Sequence, residues 1–452
     1  MTPGVFFAIT FCCDTGSRDS VLCWHSNEKN PANRKSHLAF VGFCVTMEGM
    51  KGKRYIERKI SKEVHRAAEM YPVVTICGPR QAGKTTLARH LFPEFDYVSM
   101  ENPYERQAFE ADALGFLARH PAPCIFDEVQ NTPSLLSYLQ GIVDEGNRNG
   151  MYILTGSRQM ELQQSITQSL AGRTAIVDLL PLSLEELADA NMPLSRDEAM
   201  FMGGLPRIYS WNQDPCMAYP DYFRTYVERD VRAIINVQKL REFEIFVRLL
   251  AARVGQLVNY ASLANDVGVS APTIRDWISM LEASYIIFTL HPYYKNYGKR
   301  LVKTPKIYFT ETGLVASLLG IKSPEQVQSH PLVGNIFENL VVSEMLKAQL
   351  NNREQPNLFF YRDSSGLEID IIREEHLVPQ PIEIKSAMTY SPALCKNLQK
   401  FMNLEPQAVH PTLICGGKSM GTLQGINIVT FDQVAHVMVQ NVDLEKNQLS
   451  DG

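Results

Sequence analysis

The chain has no apolar run approaching the ~20 residues that a membrane-spanning helix needs, so no membrane-embedded role is expected. None of its nine cysteines shows paired C-x-x-C zinc spacing, and an odd number does not make a closed disulfide framework. The reading is reduced thiols in the cytoplasm. There is no surplus of positive charge. Forty-four Lys and Arg face 49 Asp and Glu, giving a net charge of −5 and a pI of about 6.1. Any nucleic-acid surface must therefore be a local patch. Internal repeats and low-complexity tracts are also missing. What remains is ordinary for a globular chain with real cores: 45% hydrophobic residues and a length that predicts about three domains.

The first residues differ in character from the rest. Cys12, Cys13, Cys23 and Cys44 cluster there. The apolar stretch Val5–Phe11 has no positive charge before it and is a poor secretory signal. Residues 1–49 are expected to be a disordered leader or a mis-called start, with Met47 or Met50 as the physiological start.

The strongest motif is Gly78-Pro79-Arg80-Gln81-Ala82-Gly83-Lys84-Thr85, which fits G-x-x-x-x-G-K-[ST]. A short apolar run, Val73–Cys77, precedes it, and Thr86-Leu87-Ala88-Arg89 opens a helix. Glycines let such a loop wrap phosphates, with its N–H groups pointing inward at a helix N-terminus. Lys84 is expected at the β- and γ-phosphates and Thr85 on Mg²⁺. Cys124-Ile125-Phe126-Asp127-Glu128 reads as a strand ending in two carboxylates, where an open parallel sheet places its ligand. Asp127 is expected to hold Mg²⁺ and Glu128 to orient or deprotonate the attacking water. Met151–Leu154 reads as a third strand, running into Thr155-Gly156-Ser157. Either hydroxyl, Ser157 or Thr155, could report the γ-phosphate, and the sequence does not choose between them.

Alternating strands and helices to about residue 190 predict an α/β domain with a parallel sheet covered on both faces. The pattern then turns helical. Residues 260–281 read as a helix, a Gly turn, a Ser cap and a second helix with Pro in its first turn, followed by the strand Tyr285–Leu290. That is the grammar of a winged helix, whose second helix offers Thr273 and Arg275 to a groove. Trp277 is expected in the core. Residues 291–306 carry five Lys or Arg, no acid and several tyrosines, which suits phosphates and unpaired bases but also a solvated hairpin.

A second chemistry is patterned near the C-terminus: Glu338 on an amphipathic helix, Asp370 on a strand, then Glu383-Ile384-Lys385 on another. Period two puts Glu383 and Lys385 on one face. Asp370 and Glu383, with Glu338, could ligate a divalent cation, and Lys385 could position a water. The same alternation is what any half-exposed strand shows, and both readings stand.

From about residue 51 to 440 the chain resembles a family of prokaryotic AAA-type ATPases. Their C-terminal domain, of uncharacterised function, is similar to the PD-(D/E)XK nuclease fold. The resemblance rests on Tyr55–Arg58, Gly78–Thr86, Phe126–Gln130, Leu154–Ser157, Leu170–Arg173, Gly203–Pro206, Glu228–Val231, Lys303–Leu314, Glu338-Asn339, Glu368–Asp370 and Glu383–Lys385. Glu311 departs from the Asp more usual there. The resemblance implies ATP with Mg²⁺, since no N-K-x-D guanine motif is present. It also implies Arg173 as a charge stabiliser near the γ-phosphate, supplied to a neighbouring copy in a homo-oligomer, with Arg207 and Arg229 as rivals.

The expected organisation is an α/β ATPase core over 50–195, a helical and winged-helix region over 196–305, a restriction-endonuclease-like α/β domain over 306–440 and a tail over 441–452. The expected partners are ATP, DNA or another nucleic acid, and a partner protein.

Overall fold

The structure is a computed structural model, and it describes residues 54–146, 148–157, 169–226, 231, 239–294 and 304–439. The expected leader and tail, Arg229, and four of the five cations in the basic stretch (Lys295, Lys299, Arg300 and Lys303) lie outside the described residues.

In chain order the first elements are α1 (Ser61–Met70), β1 (Val73–Cys77), α2 (Lys84–Leu91), β2 (Asp96–Ser99), α3 (Pro103–Ala111), α4 (Ala113–Arg119), β3 (Cys124–Asp127), α5 (Ser134–Gly146), β4 (Tyr152–Gly156) and β5 (Thr174–Asp178). The strands form one parallel sheet in the order β5-β1-β4-β3-β2. Every residue of β1, β3 and β4 is buried, as a sheet covered on both faces requires. One apolar layer gathers Phe109, Phe116, Leu135 and Leu139, and the other gathers Ile60, Val64 and Leu87. The order seats β4 between the strand that enters the phosphate loop and the strand that ends in Asp127. The hydroxyl end of β4 is therefore carried into the middle of the site.

The chain continues through α6 (Leu184–Asp189), α7 (Arg196–Met202), α8 (Pro206–Ser210), α9 (Pro215–Tyr226), α10 (Leu240–Ala252), α11 (Tyr260–Val267) and α12 (Ala271–Ala283). Gly268, at φ 82°, closes α11, and the Ser270 hydroxyl caps α12 by accepting from Thr273 N. Trp277 is core, packed against Phe243 and Phe246. The Thr273 hydroxyl bonds Ser270 Oγ, and Arg275 stands 5.1 Å over the Tyr260 ring.

Next come β6 (Ile287–Pro292), β7 (Lys306–Phe309), α13 (Thr312–Leu318), α14 (Pro324–Ser329), α15 (Val333–Asn351), β8 (Leu358–Arg362), β9 (Glu368–Glu375), β10 (Val378–Lys385), α16 (Lys396–Leu404), β11 (Thr412–Cys415), β12 (Gly421–Leu423), β13 (Ile426–Thr430) and α17 (Val434–Val439). The strands build a mixed eight-stranded sheet in the order β12-β13-β11-β10-β9-β8-β6-β7. Residue 305 falls between the paired strands β6 and β7, and a single apolar core runs from Ala199 to Met438. The helical region and the second sheet are thus packed as one body.

The expectation of an amphipathic helix around Glu338 is corrected. α15 is buried around its whole circumference, polar Asn339, Glu344 and Lys347 included, because it is wedged among β5, β7, β10 and α7. Lys306 is corrected too. It is not a solvent-facing cation of the basic stretch but is 3% exposed on a strand buried along its length. Glu311, the departure noted above, is also buried. It accepts from Gly204 N, Gly313 N and the Tyr219 hydroxyl. A side chain at Gly203 (φ 59°) would strike its carboxylate, which is why a glycine stands there.

Candidate functional site

The phosphate loop leaves β1 through Gly78 at φ 152°. A Cβ there would lie 2.0 Å from Leu179 O, so only glycine fits. The loop enters α2 through Gly83, left-handed at φ 95°, so the amides of the first turn face the loop's hollow. Lys84 is buried and donates to Gly78 O (3.0 Å) and Pro79 O (2.8 Å). Burial pushes its pKa down against the pull of Glu128. Thr85 Oγ1 donates to Asp127 Oδ1 at 2.8 Å, and the Thr155 hydroxyl donates to the same oxygen. Glu128 sits in the left-handed region (φ 55°, ψ 46°), a costly conformation for a branched-off carboxylate and one that clusters at functional sites. It accepts from Gln130 Nε2, and its N–H donates to Thr155 Oγ1 at 3.3 Å.

A cleft of about 730 Å³ opens over these groups. Arg80, Gln81, Ala82, Gly83, Lys84, Thr85, Thr86 and Glu128 line one side of it, and Arg54, Tyr55, Arg58, Pro206, Arg207 and Trp211 line the other. The two candidate hydroxyls part company here. The Thr155 hydroxyl donates to the Asp127 carboxylate and accepts from the backbone N–H of Glu128, whereas Ser157 Oγ is buried without a partner among the described residues.

Arg173 lies outside this cleft. Its carbonyl accepts from Val73 N, at the start of β1, which is the opposite end of a parallel strand from the loop. Five residues of strand put roughly 15 Å between them. There its guanidinium grips Asp144 through Nε (2.5 Å) and Nη2 (2.9 Å). It can face a nucleotide only on another copy of the chain. Arg207, which the sequence ranked below it, lines the cleft itself, 5.3 Å over the Trp211 ring.

Sequence reasoning missed Arg58. It is 6% exposed and braces the loop, donating to Ala82 O (2.8 Å), Leu180 O (2.6 Å) and Glu186 Oε1 (3.0 Å). Its signal was present in the Tyr55–Arg58 segment just before α1, but two of its partners, Leu180 and Glu186, lie more than a hundred residues away.

The second constellation converges in part. The register of β9 against β10 opposes Ile371 to Ile382 and so carries Asp370 alongside Glu383. Lys385 Nζ lies 3.0 Å from Asp370 Oδ2 and 2.8 Å from Glu383 Oε1, and Ile384 N donates to Asp370 Oδ2 at 2.8 Å. Glu383 Oε2 is buried without a partner among the described residues. Glu338 has partners of its own. Its Oε1 accepts from the Tyr308 hydroxyl (2.6 Å) and Lys306 Nζ (3.4 Å), and Lys306 also pairs with Glu368 at 2.7 Å. Among the described residues no group of three or more His, Cys, Asp or Glu is set to hold a metal ion, so Glu338 is corrected as a ligand. Glu344, six residues further along α15, is turned to Leu184 N and Lys347. Burial, then the charge of Asp370, push Glu338 and Glu383 up to about 7. Burial alone would lower the pKa of Lys385, but its two carboxylates outweigh that and raise it.

Three family regions match the sequence: an AAA domain over residues 70–188 and domains of unknown function over 194–325 (DUF8612) and 333–433 (DUF4143). The uncharacterised protein Rv2008c of Mycobacterium tuberculosis is 31% identical over 354 residues, spanning 77% of this chain and 76% of its own length. The uncharacterised protein Mb2031c of Mycobacterium bovis matches to the same extent. The chain belongs to their family, and residues 70–188 are an AAA-type P-loop ATPase domain. Among solved structures, the Walker-type ATPase of Pyrococcus abyssi is 15% identical at a TM-score of 0.40, covering 58% of this chain and 96% of that one. Among the described residues of the ATPase, no helix is long and apolar enough to cross a membrane.

The ATPase cleft fits ATP with Mg²⁺ on its own residues. An amide cradle and a buried ammonium face a polyphosphate, and Thr85 with Asp127 offers the hard oxygens that Mg²⁺ takes. When bound, the cation supplies charge neutralisation between the phosphates. The chain's own groups do the rest. Lys84 would hold phosphate oxygens, Glu128 would accept a hydrogen bond from an attacking water, and the Thr155 hydroxyl accepts from the backbone N–H of Glu128.

The raised carboxyl of Glu338 sets a pH dependence. Its ordinary value is 4.5, and in the fold it stands at about 7. Between these values the folded chain keeps a proton that the unfolded chain releases, so stability falls as pH rises through that window. Glu338→Gln fixes the neutral form. In paired thermal melts its Tm relative to wild type is expected to be higher near pH 8 than near pH 5. A difference that does not change with pH would mean the carboxylate is ionised throughout.

Proposed function

We propose that this ATPase hydrolyses ATP to act on, or dock to, nucleic acid, with DNA the first candidate. In this reading α11, α12 and the β6–β7 pair work as a winged helix. The second sheet works as a nuclease-like platform that presents Asp370, Glu383 and Lys385. The observation that carries the reading is the convergence of those three side chains beside an unpaired, buried Glu383 Oε2. Two carboxylates with a phosphate oxygen are an adequate set for Mg²⁺, which usually keeps several waters. Arg173 would serve a neighbouring copy in a homo-oligomer. The free thiols of Cys77, Cys124, Cys216, Cys395 and Cys415 fit a reducing, cytoplasmic setting.

The test is ATP turnover with and without single- and double-stranded DNA, together with cleavage assays in Mg²⁺ or Mn²⁺. DNA is expected to stimulate turnover. Asp370→Ala is expected to abolish cleavage while ATP turnover stays within about twofold of wild type.

A second reading is an ATP-dependent switch that binds a partner protein with an inactive C-terminal half. It is favoured by the capture of Glu338 by Lys306 and Tyr308. Failure of both DNA stimulation and Asp370-dependent Mn²⁺ binding would leave that reading standing.

A further inference from the structure

We propose that Tyr97 is a positioning residue of the ATP site, holding the Asp127 carboxylate in the orientation that faces the magnesium ion. The inference rests on the ATP-hydrolysing reading.

Asp127 is 5% exposed, and its two oxygens are used differently. Oδ1 takes the hydroxyls of Thr85 and Thr155, both on the nucleotide side. Oδ2 takes one donor, the Tyr97 hydroxyl at 2.9 Å. Those hydroxyls alone would let the carboxylate swing about its last torsion, since terminal sp³–sp² torsions are broad. The phenol pins it from the other side.

The geometry follows from the sheet. In the β2–β3 register Ser99, not Tyr97, opposes Asp127, and Tyr97 opposes Ile125. A short side chain at position 97 would fall two residues short, and the length of a tyrosine spans the gap. The ring is held in turn by the Arg89 guanidinium, 4.7 Å over its centroid. Burial, then the charge of Asp127, push the phenol up to about 12, so it remains a donor at neutral pH.

Tyr97 and Arg89 do not line the nucleotide cleft. With Phe92, Phe95 and the two threonines shared by both clefts, Thr85 and Thr86, they line a neighbouring cleft of about 450 Å³. Tyr97 therefore reaches the magnesium ligand without touching the nucleotide. Its loss should register in cation dependence rather than in nucleotide affinity.

Tyr97→Phe removes the hydroxyl and keeps the ring. A hydrogen bond to a charged group is worth roughly a ten- to hundredfold change in an equilibrium. Three readouts are needed: ATP turnover against Mg²⁺ concentration, Mn²⁺ binding to the ADP complex followed by electron paramagnetic resonance, and ADP binding without divalent cation. The expected result is a Mg²⁺ requirement and a Mn²⁺ dissociation constant raised about tenfold or more, with metal-free ADP affinity and Tm unchanged. Arg89→Ala loosens the ring without removing the hydroxyl and is expected to shift the Mg²⁺ requirement the same way by about two- to fivefold.

Wild-type Mg²⁺ dependence and Mn²⁺ affinity in Tyr97→Phe would overturn the proposal. So would an equal loss with and without divalent cation, which marks a merely structural role. Should Tyr97→Phe not fold, an unchanged Mg²⁺ requirement in Arg89→Ala would overturn it instead. A wild-type protein that binds Mn²⁺–ADP but does not turn ATP over would overturn the hydrolytic reading, while the Mn²⁺ measurement still judges Tyr97.

Discussion

Glu128→Gln is expected to bind ATP as wild type does and to turn it over at least about a hundredfold more slowly, the lower end of what a positioned acid–base group contributes. The substitution keeps the shape of the side chain and an oxygen that can accept from Gln130 Nε2. It leaves untouched the backbone bond from Glu128 N to Thr155 Oγ1, and it leaves Lys84, Thr85 and Asp127 in place. What it removes is the negative charge that the end of β3 presents to the cleft. The left-handed backbone at this position argues the same way. A strained φ survives only where the surroundings enforce it, and here the enforcement aims a carboxylate at the phosphate loop. Nucleotide binding by filter assay and turnover by phosphate release separate the two effects. Equal turnover by Glu128→Gln and wild type would remove Glu128 from the mechanism.

The parts of the site that a sequence carries best are those whose chemistry is local. The loop, its glycines, Lys84, Thr85, Asp127 and Glu128 lie within two short segments, each a strand end followed by a turn, and each was legible there. The order of strands decided the rest. Thr155 and Ser157 could not be separated by spacing because both stand at the C-terminal end of β4. Only the placement of β4 between β1 and β3 brings the Thr155 hydroxyl against the Asp127 carboxylate and the backbone N–H of Glu128. The distance of Arg173 from its own chain's loop was hidden for the opposite reason. It precedes a strand, and a parallel sheet sends strand starts and strand ends to opposite edges.

Lys306 shows how a charge run misleads. Surrounded in sequence by lysines and arginines, it reads as one more solvated cation, yet the strand it opens is buried, and it takes Glu338 and Glu368 as counter-charges. The burial of α15 was illegible for a related reason. A helix between two sheets keeps polar residues inside when each of them has a partner, and those partners come from other elements: Leu182 and Leu184 before α6, and Phe309 and Thr312 around β7.

Arg58→Ala is expected to cost about 3–5 kcal/mol, the penalty for breaking a buried ion pair from one side. Glu186 is 1% exposed and would keep its charge with only the N–H groups of Lys59 and Ser183 to hold it. Ala82 O and Leu180 O would each lose a donor. Arg58→Ala combined with Glu186→Gln, which removes the stranded charge, is expected to recover part of the loss.

The effect should not stop at the loop. Leu182 O accepts from Lys347 Nζ at 3.0 Å, and Leu184 N donates to Glu344 Oε2 at 2.7 Å, so the segment that Arg58 anchors at Leu180 and Glu186 is the segment that docks on α15. α15 also carries Glu338, next to the second constellation. A largely buried polar chain links the phosphate loop to that helix, and such a chain moves as a unit or breaks at a cost. Amide hydrogen exchange along Val333–Asn351 is therefore expected to quicken in Arg58→Ala and to slow when wild type takes up ATP. A destabilisation confined to residues 54–157, with the exchange of α15 unchanged, would mean that Arg58 braces the loop alone and that the two halves do not communicate through this contact.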